Sequence, residues 1–167
     1  MFELKEEHAS RLMALNINED EWREVAPFAA VVWMQMYGAI DELKIEYGFQ
    51  DPPVSLIRVL GTIDSAIKDL ELAQSVLVTI KEKIGIPAVQ MTKTETAVHD
   101  ALNKLQTLKE TLPTQLGDVP TYLEDIRLLL ERDCLGPSRV GRDPAEKVLL
   151  FLEHMILPGS HPHQSVN

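Results

Sequence analysis

Cysteine is almost absent from this chain of 167 residues, in which Cys134 is the single thiol. A lone cysteine cannot form an internal disulfide, which excludes a small disulfide-stabilised secreted fold and favours a reducing, cytoplasmic location. Aromatic residues make up only 5% of the sequence, and no sustained alternation of apolar and polar residues occurs, so strand signals are weak. These absences together favour an all-α protein.

Long apolar runs are absent as well. The most apolar stretch, Ala26 to Ile40, has fifteen residues and is interrupted by Gln35, which is short of the ~20 apolar residues that cross a membrane. The helix that it predicts also continues into Asp41 and Glu42. The N-terminus is acidic and lacks the apolar segment of a signal peptide. We therefore expect no membrane partner.

Basic residues are outnumbered, with 16 Lys and Arg against 26 Asp and Glu and a formal net charge of −10. Residues 1–50 concentrate this surplus, because they carry ten acidic and four basic residues. Such a surface repels the phosphates of nucleic acids and of anionic lipids. We therefore expect no nucleic-acid partner, and the charge is explained by solubility or by a basic protein partner.

Helix start signals are the strongest local features that are present. Asn18 with Glu21, and Thr92 with Glu95, have the spacing of capping boxes. Two further starts combine an Asp cap with a proline at the first helical position, at residues 51–52 and 143–144. The pattern predicts helices over residues 2–15, 18–47, 51–84, 92–112, 120–133 and 143–157.

Two of these helices contain a potential interruption. Pro27 either ends a short helix near Val25 or kinks a longer one, and Gly61 is the weakest point of the helix over residues 51–84. Apolar residues recur in that helix with a period of about 3.5, typical of helices packed nearly parallel or antiparallel. We predict a helical bundle of five to six mostly antiparallel helices with one long central helix. It forms a single domain over residues 1–158, followed by a disordered tail over residues 159–167.

Motifs of catalysis are scarce. No histidine is preceded three residues earlier by Glu, so the Glu-x-x-His motif of dinuclear carboxylate bundles is absent, as is a phosphate-binding Gly-x-x-x-x-Gly-Lys motif. The segment around Ser138 is one residue too long for a Gly-x-Ser-x-Gly elbow. Cys134 lies among acidic residues, which disfavour its thiolate. We predict no catalytic residue, no metal site and no cofactor.

Paired acids nevertheless keep an enzymatic alternative open. Glu95 and His99 lie four residues apart and share a helical face, as do Glu42 and Glu46. Such pairs would suit a small metal- or nucleotide-dependent enzyme on a helical bundle. A second pair of ligands is not evident beside either of them, and exposed helix charges explain both without a metal.

A basic cluster surrounds the loop before the last predicted helix. Ser138, Arg139 and Arg142 lie beside a helix N-terminus, where backbone N–H groups and arginines favour an anion. This is a candidate anion-binding site, which would suit an anion-responsive regulator. The competing explanation is that Asp143 caps the helix and pairs with an arginine.

The stretch from Ala26 to Ile40 is apolar around its whole circumference when it is plotted as a helix. One stripe, with Trp33 and Met36, belongs to the core. The neighbouring stripes carry the four residues that we predict to bind a partner wherever the other helices leave them uncovered: Phe28, Val32, Met34 and Tyr37.

The apolar stretch and the lack of catalytic motifs together favour one class of function. We expect a non-catalytic protein–protein interaction protein, such as an adaptor, an inhibitor, a chaperone-like protein or an assembly subunit. Its expected partners are another protein, a basic one included, and further copies of itself as a homo-oligomer.

Overall fold

The computed structural model describes residues 2–44, 56–115 and 119–156, and no strand occurs within these ranges. A 3₁₀ turn (Glu6–His8) precedes the first helix, and a π-helical turn (Leu130–Leu135) followed by a 3₁₀ turn (Gly136–Val140) connects the last two. The α-helices are α1 (Ala9–Ala14), α2 (Glu19–Glu42), α3 (Leu56–Lys83), α4 (Lys93–Gln115), α5 (Val119–Leu129) and α6 (Pro144–Ile156). The predicted all-α bundle is confirmed.

Helix α2 lies at the centre of the bundle, where it packs on α3, on α6 and on the π-helical turn. One side of α2 is fully buried, and Val32, Met36 and Ala39 are among its core residues. Helix α3 is the longest, with 28 residues, which is about 42 Å. It also packs on α4, so that α3 is covered on two sides.

The predicted capping boxes form as expected. Asn18 Oδ1 accepts from the backbone N–H of Glu21 at 2.8 Å, and Glu21 Oε1 accepts from the N–H of Asn18 at 3.0 Å. Thr92 and Glu95 repeat this reciprocal arrangement at 3.1 and 3.0 Å. The carboxylate of Asp143 caps α6. These local bonds satisfy backbone donors at the starts of α2, α4 and α6.

Several predicted boundaries are revised by the structure. Helix α2 is continuous through Pro27, so a short helix that ends near Val25 is wrong, and α3 is continuous through Gly61. The first helix begins later than residue 2, and α4 extends through Pro113 to Gln115. Helix α2 ends at Glu42, before the predicted end at residue 47, because Leu43 forms its C-terminal cap. The predicted start of α3 at residue 51 and the tail over residues 159–167 lie outside the described residues.

A buried lysine connects α3 to the start of α4. The ammonium of Lys81 donates to Glu95 Oε1 at 2.9 Å and to the backbone carbonyls of Ala88, at 3.4 Å, and Gln90. An ammonium has three N–H donors, and Lys81, which is only 4% exposed, has three acceptors. This contact fixes the inter-helix loop against the end of α3.

The connection between α5 and α6 depends on a close backbone approach. Gly136 has a φ of 51°, and a Cβ added there would lie 2.9 Å from the ring of His154 on α6. The His154 ring is itself held, since its Nε2 donates to the carbonyl of Asp133 at 2.8 Å. Glycine therefore lets the turn pass tightly over α6 and places Ser138 beneath α2.

Candidate interaction surface on helix α2

The side of α2 opposite the core carries an exposed apolar stripe. Pro27, Val31, Met34 and Gly38 follow one another at steps of four, three and four residues, which keeps them in one line along the helix. Met34 is 66% exposed and Val31 is 41% exposed. We call this line, together with the flanking side chains of Phe28 and Tyr37 described below, the α2 face.

The edge of the α2 face toward α3 is formed by Phe28. The Nζ of Lys83, at the end of α3, lies 5.3 Å from the centroid of the Phe28 ring. The same ammonium is 3.6 Å from a carboxylate oxygen of Glu24. Cation–π attraction and the ion pair therefore hold this edge in place while part of the ring remains exposed.

The opposite edge is an aromatic stack. The rings of Trp33 and Tyr37 are 5.2 Å apart between centroids and are inclined by only 12°. Lys147 Nζ lies 5.1 Å from the Trp33 ring, and Trp33 Nε1 donates to Ser138 Oγ at 3.1 Å. Tyr37, which is 47% exposed, is therefore presented on a fixed aromatic support.

Three of the four predicted partner-binding residues lie on the α2 face, namely Phe28, Met34 and Tyr37. Val32 is fully buried beneath it, because its side chain points toward the core, and it is not part of the exposed surface. Val31, which was not among the predicted residues, lies in its place. The sequence signal for Val31 is its helical spacing to Pro27 and Met34.

The predicted anion-binding residues are directed at separate neighbours. Ser138 is buried, and its hydroxyl donates to the carbonyl of Leu135. Arg139 extends the other way, with Nη1 3.1 Å from Glu131 Oε1. The side chain of Arg142 is exposed. The three side chains therefore do not converge on one position at which an anion could be held. Anion binding at this loop stays a prediction.

The acids considered for catalysis have structural partners. Glu95 Oε1 accepts from both Lys81 Nζ and the backbone N–H of Thr92, while His99 is exposed. Glu46 lies outside the described residues. Within the described ranges, no three or more His, Cys, Asp or Glu side chains are grouped so that they could hold a metal ion.

The thiol of Cys134 is fully buried, with its Sγ 3.8 Å from the carbonyl oxygen of Thr94. Burial raises the pKa of the Cys134 thiol, and the neighbouring Asp133 carboxylate raises it further. A nucleophilic cysteine needs the reverse, an accessible thiolate with a lowered pKa. Cys134 is therefore a small apolar core residue.

A cleft of about 860 Å³ lies between the N-terminal segment and the first turn of α2. Phe2 and Trp22 both line it, and the carbonyl of Phe2 accepts from Trp22 Nε1 at 2.6 Å. Among its lining residues, Arg23 already pairs with Glu19 and Asp20. The cleft is thus lined by a mixture of apolar and charged side chains, in which the one arginine is already paired.

Carboxylates cluster where the α2 face ends, near the C-terminus of the helix. Glu42 Oε2 accepts from Ser65 on α3, whereas Glu42 Oε1 is buried without a hydrogen-bond donor. Burial raises the pKa of the Glu42 carboxyl, and the nearby Asp69 and Asp41 raise it further. Three carboxyl groups therefore lie close together at this end of the α2 face.

Glu42→Gln is expected to stabilise the protein at neutral pH. Because the folded-state pKa of Glu42 is raised, ionised Glu42 disfavours folding, and this penalty is lost as the pH falls toward the pKa of the unfolded chain. The uncharged amide removes the penalty and can donate to Asp69. Urea unfolding at neutral pH should show a higher free energy of unfolding for the variant than for the wild type. This difference should become smaller at mildly acidic pH. Glu71→Gln, at an exposed position of α3, is the control; an equal gain there would contradict the prediction.

The fold and the α2 face together define an all-α bundle in which the described residues leave an apolar face of α2 exposed. No protein-family model matches the chain, and no match was found among curated proteins or among solved structures. None of the helices in the described ranges is long and apolar enough to span a membrane. Function is therefore inferred from the chemistry of the surface.

Proposed function

We propose that this chain is a non-catalytic protein–protein interaction protein that binds its partner through the α2 face. The observation that supports this most directly is the continuous exposure of Val31, Met34 and Tyr37 along a helix whose other side forms the core. Single exposed apolar residues are ordinary on soluble proteins, whereas a contiguous apolar stripe favours a contact surface. Adaptor, inhibitor, chaperone-like and assembly roles all use such a surface.

The rigidity of the α2 face supports the same proposal. Trp33 is fixed by its bond to Ser138 and by the ammonium of Lys147, and it in turn supports Tyr37. A preformed aromatic anchor loses little conformational entropy on binding, and such anchors carry much of the affinity of interfaces. Met34 beside it has an adaptable side chain that suits an apolar partner. The single buried thiol, Cys134, supports a reducing, cytoplasmic location for this activity.

Met34→Asp is expected to remove binding without loss of the fold, since the side chain is exposed. Affinity capture from the source organism should use the wild type, Met34→Asp and the matched control Met13→Asp, which changes a 76% exposed methionine on α1. The wild type and the control should retain proteins that bind through the α2 face. The amount recovered with Met34→Asp should be at least ~10-fold lower. Thermal unfolding of all three verifies that each is folded.

The mass of the captured complexes separates a foreign partner from self-association. A complex whose recovery is equal for wild type and Met34→Asp would contradict the role of the α2 face. A wild-type chain that stays monomeric at high concentration and retains nothing specific would contradict the proposed function itself.

A further inference from the structure

The segment over residues 2–16 lies against the end of the bundle at which α2 begins. Its helix α1 has six residues, which is too short to be stable without tertiary contacts. The backbone of α1 lies close to the preceding 3₁₀ turn, whereas its approaches to the long helices are sparse. The cleft of about 860 Å³ separates part of the segment from the first turn of α2. The segment is therefore held at a few points rather than along its length.

Among the described residues, two polar contacts fasten this segment to the bundle. The carbonyl of Phe2 accepts from the indole Nε1–H of Trp22 at 2.6 Å. Arg11 donates through Nε, at 2.9 Å, and through Nη2 to the two carboxylate oxygens of Glu153 on α6. Leu12, which follows Arg11, adds a buried apolar side chain. The bidentate geometry makes the ion pair directional, so it is lost as a unit when α1 moves away from α6.

Asn16 is the point at which the segment can turn away from α2. It is the single non-glycine residue with a positive φ, of 62°, in the described part of the chain. Its amide donates to the carbonyl of Met13 at 2.9 Å, which ends α1. Asparagine tolerates this left-handed conformation better than most residues with a side chain. The chain therefore changes direction sharply between α1 and α2.

The start of α2 does not depend on the segment that precedes it. The capping box of Asn18 and Glu21 satisfies backbone donors of α2 from within residues 18–21. Ile17 and Trp22 have the spacing of a hydrophobic staple, and both are buried and line the cleft. The segment can therefore leave without unwinding α2, and the hinge falls at Asn16.

We propose that residues 2–16 form a lid that opens about Asn16 while the rest of the bundle stays folded. Opening breaks the ion pair to α6 and the bond to Phe2, and it uncovers the Trp22 indole, which is 4% exposed in the closed form. Elements that are held by few contacts open locally at a lower free energy than the whole domain. The inference does not depend on the proposed function, because it concerns access to Trp22 and the cleft rather than the α2 face.

Native-state hydrogen exchange of the full chain tests the lid. The reporters are the indole N–H of Trp22, the amide of Ile17, which bonds to Leu12, and the amides of α1. Relative to their intrinsic rates, they should exchange at least ~10-fold faster than core-facing amides of α3. Low concentrations of urea should accelerate exchange in α3 but hardly in the lid, since lid opening exposes little surface. Equal rates with equal urea dependence would overturn the inference, because the segment would then open only when the whole bundle unfolds.

A core substitution far from the lid separates the two kinds of opening. Ile63→Val truncates a fully buried side chain of α3, two residues from Ser65, which contacts Glu42 at the opposite end of α2. This site stays folded when the lid opens and unfolds with the whole bundle. Exchange in α3 should therefore become about 5-fold faster, while exchange of the Trp22 indole and of the α1 amides stays unchanged. An equal acceleration in the lid would contradict the inference.

Arg11→Gln tests the ion pair that holds the lid closed, and Arg132→Gln is the matched control. Arg132 is an exposed arginine that pairs with Asp133, outside the lid. Loss of the Arg11 pair should accelerate exchange of the Trp22 indole about 5-fold, and the control should leave it unchanged. Thermal unfolding verifies that both variants are folded. An unchanged rate in Arg11→Gln would show that Trp22 is uncovered without release of α1, which would overturn the lid.

Discussion

Lys81→Met is expected to lower the free energy of unfolding by about 3–5 kcal/mol, the range found when one member of a buried ion pair is removed. The substitution leaves the Glu95 carboxylate without its cation and removes the donor from the carbonyls of Ala88 and Gln90. Urea unfolding followed by circular dichroism measures the loss. Because the free energy of unfolding of a whole domain is only about 5–15 kcal/mol, this loss is a large fraction of it.

The matched control is Lys104→Met, at an exposed position of α4. It removes the same charge from solvent and should change stability by less than about 0.5 kcal/mol. If Lys81→Met were as mild as this control, the lysine would be dispensable and the loop between α3 and α4 would be held by other contacts.

Gly136→Ala is the second change with a large expected effect, a loss of about 2–3 kcal/mol. The backbone at this position has a φ of 51° and a ψ of −135°, and the new methyl group would lie 2.9 Å from His154. Either the turn or the histidine must move, which would also displace Ser138 from Trp33. Thermal unfolding gives the stability, and the near-ultraviolet circular dichroism of tryptophan reports the displacement.

Gly61→Ala makes the same chemical change as Gly136→Ala but is expected to increase stability. Gly61 is exposed within α3, and no atom outside its own helix lies within 4 Å of an added Cβ. Alanine should therefore stabilise the helix by about 0.5–1 kcal/mol. Similar effects for Gly61→Ala and Gly136→Ala would show that the turn tolerates a side chain at Gly136.

Features that depend on neighbours in sequence were predictable. The capping boxes of Asn18 and Thr92 formed because the donor and the acceptor lie within one helical turn. The partner of Lys81 was not predictable, because Glu95 reaches it only after the chain reverses between α3 and α4. The contact of His154 with the carbonyl of Asp133 in the π-helical turn likewise joins residues that are distant in sequence.

The candidate surface was predictable in part for the same reason. Helical spacing identified the stretch from Ala26 to Ile40 as apolar around the helix, but the packing of α3 and α6 on α2 determines which side stays exposed. Val32 was therefore grouped with Phe28 although it is buried, and Val31 was not selected. The stripe through Pro27 and Met34 contains Val31 at helical spacing, but spacing alone does not show which of the apolar stripes is the exposed one.

Pro27 gives the two ends of the α2 face different mechanical properties. Proline has no amide hydrogen, so the carbonyl of Arg23 receives no hydrogen bond from position 27, and a helix bends most easily at such a point. Farther along, the contact between Glu42 and Ser65 fastens α2 to α3. The α2 backbone therefore bends more easily near Pro27 than near Glu42, and the Phe28 edge, which Lys83 holds against α3, would move together with that bend.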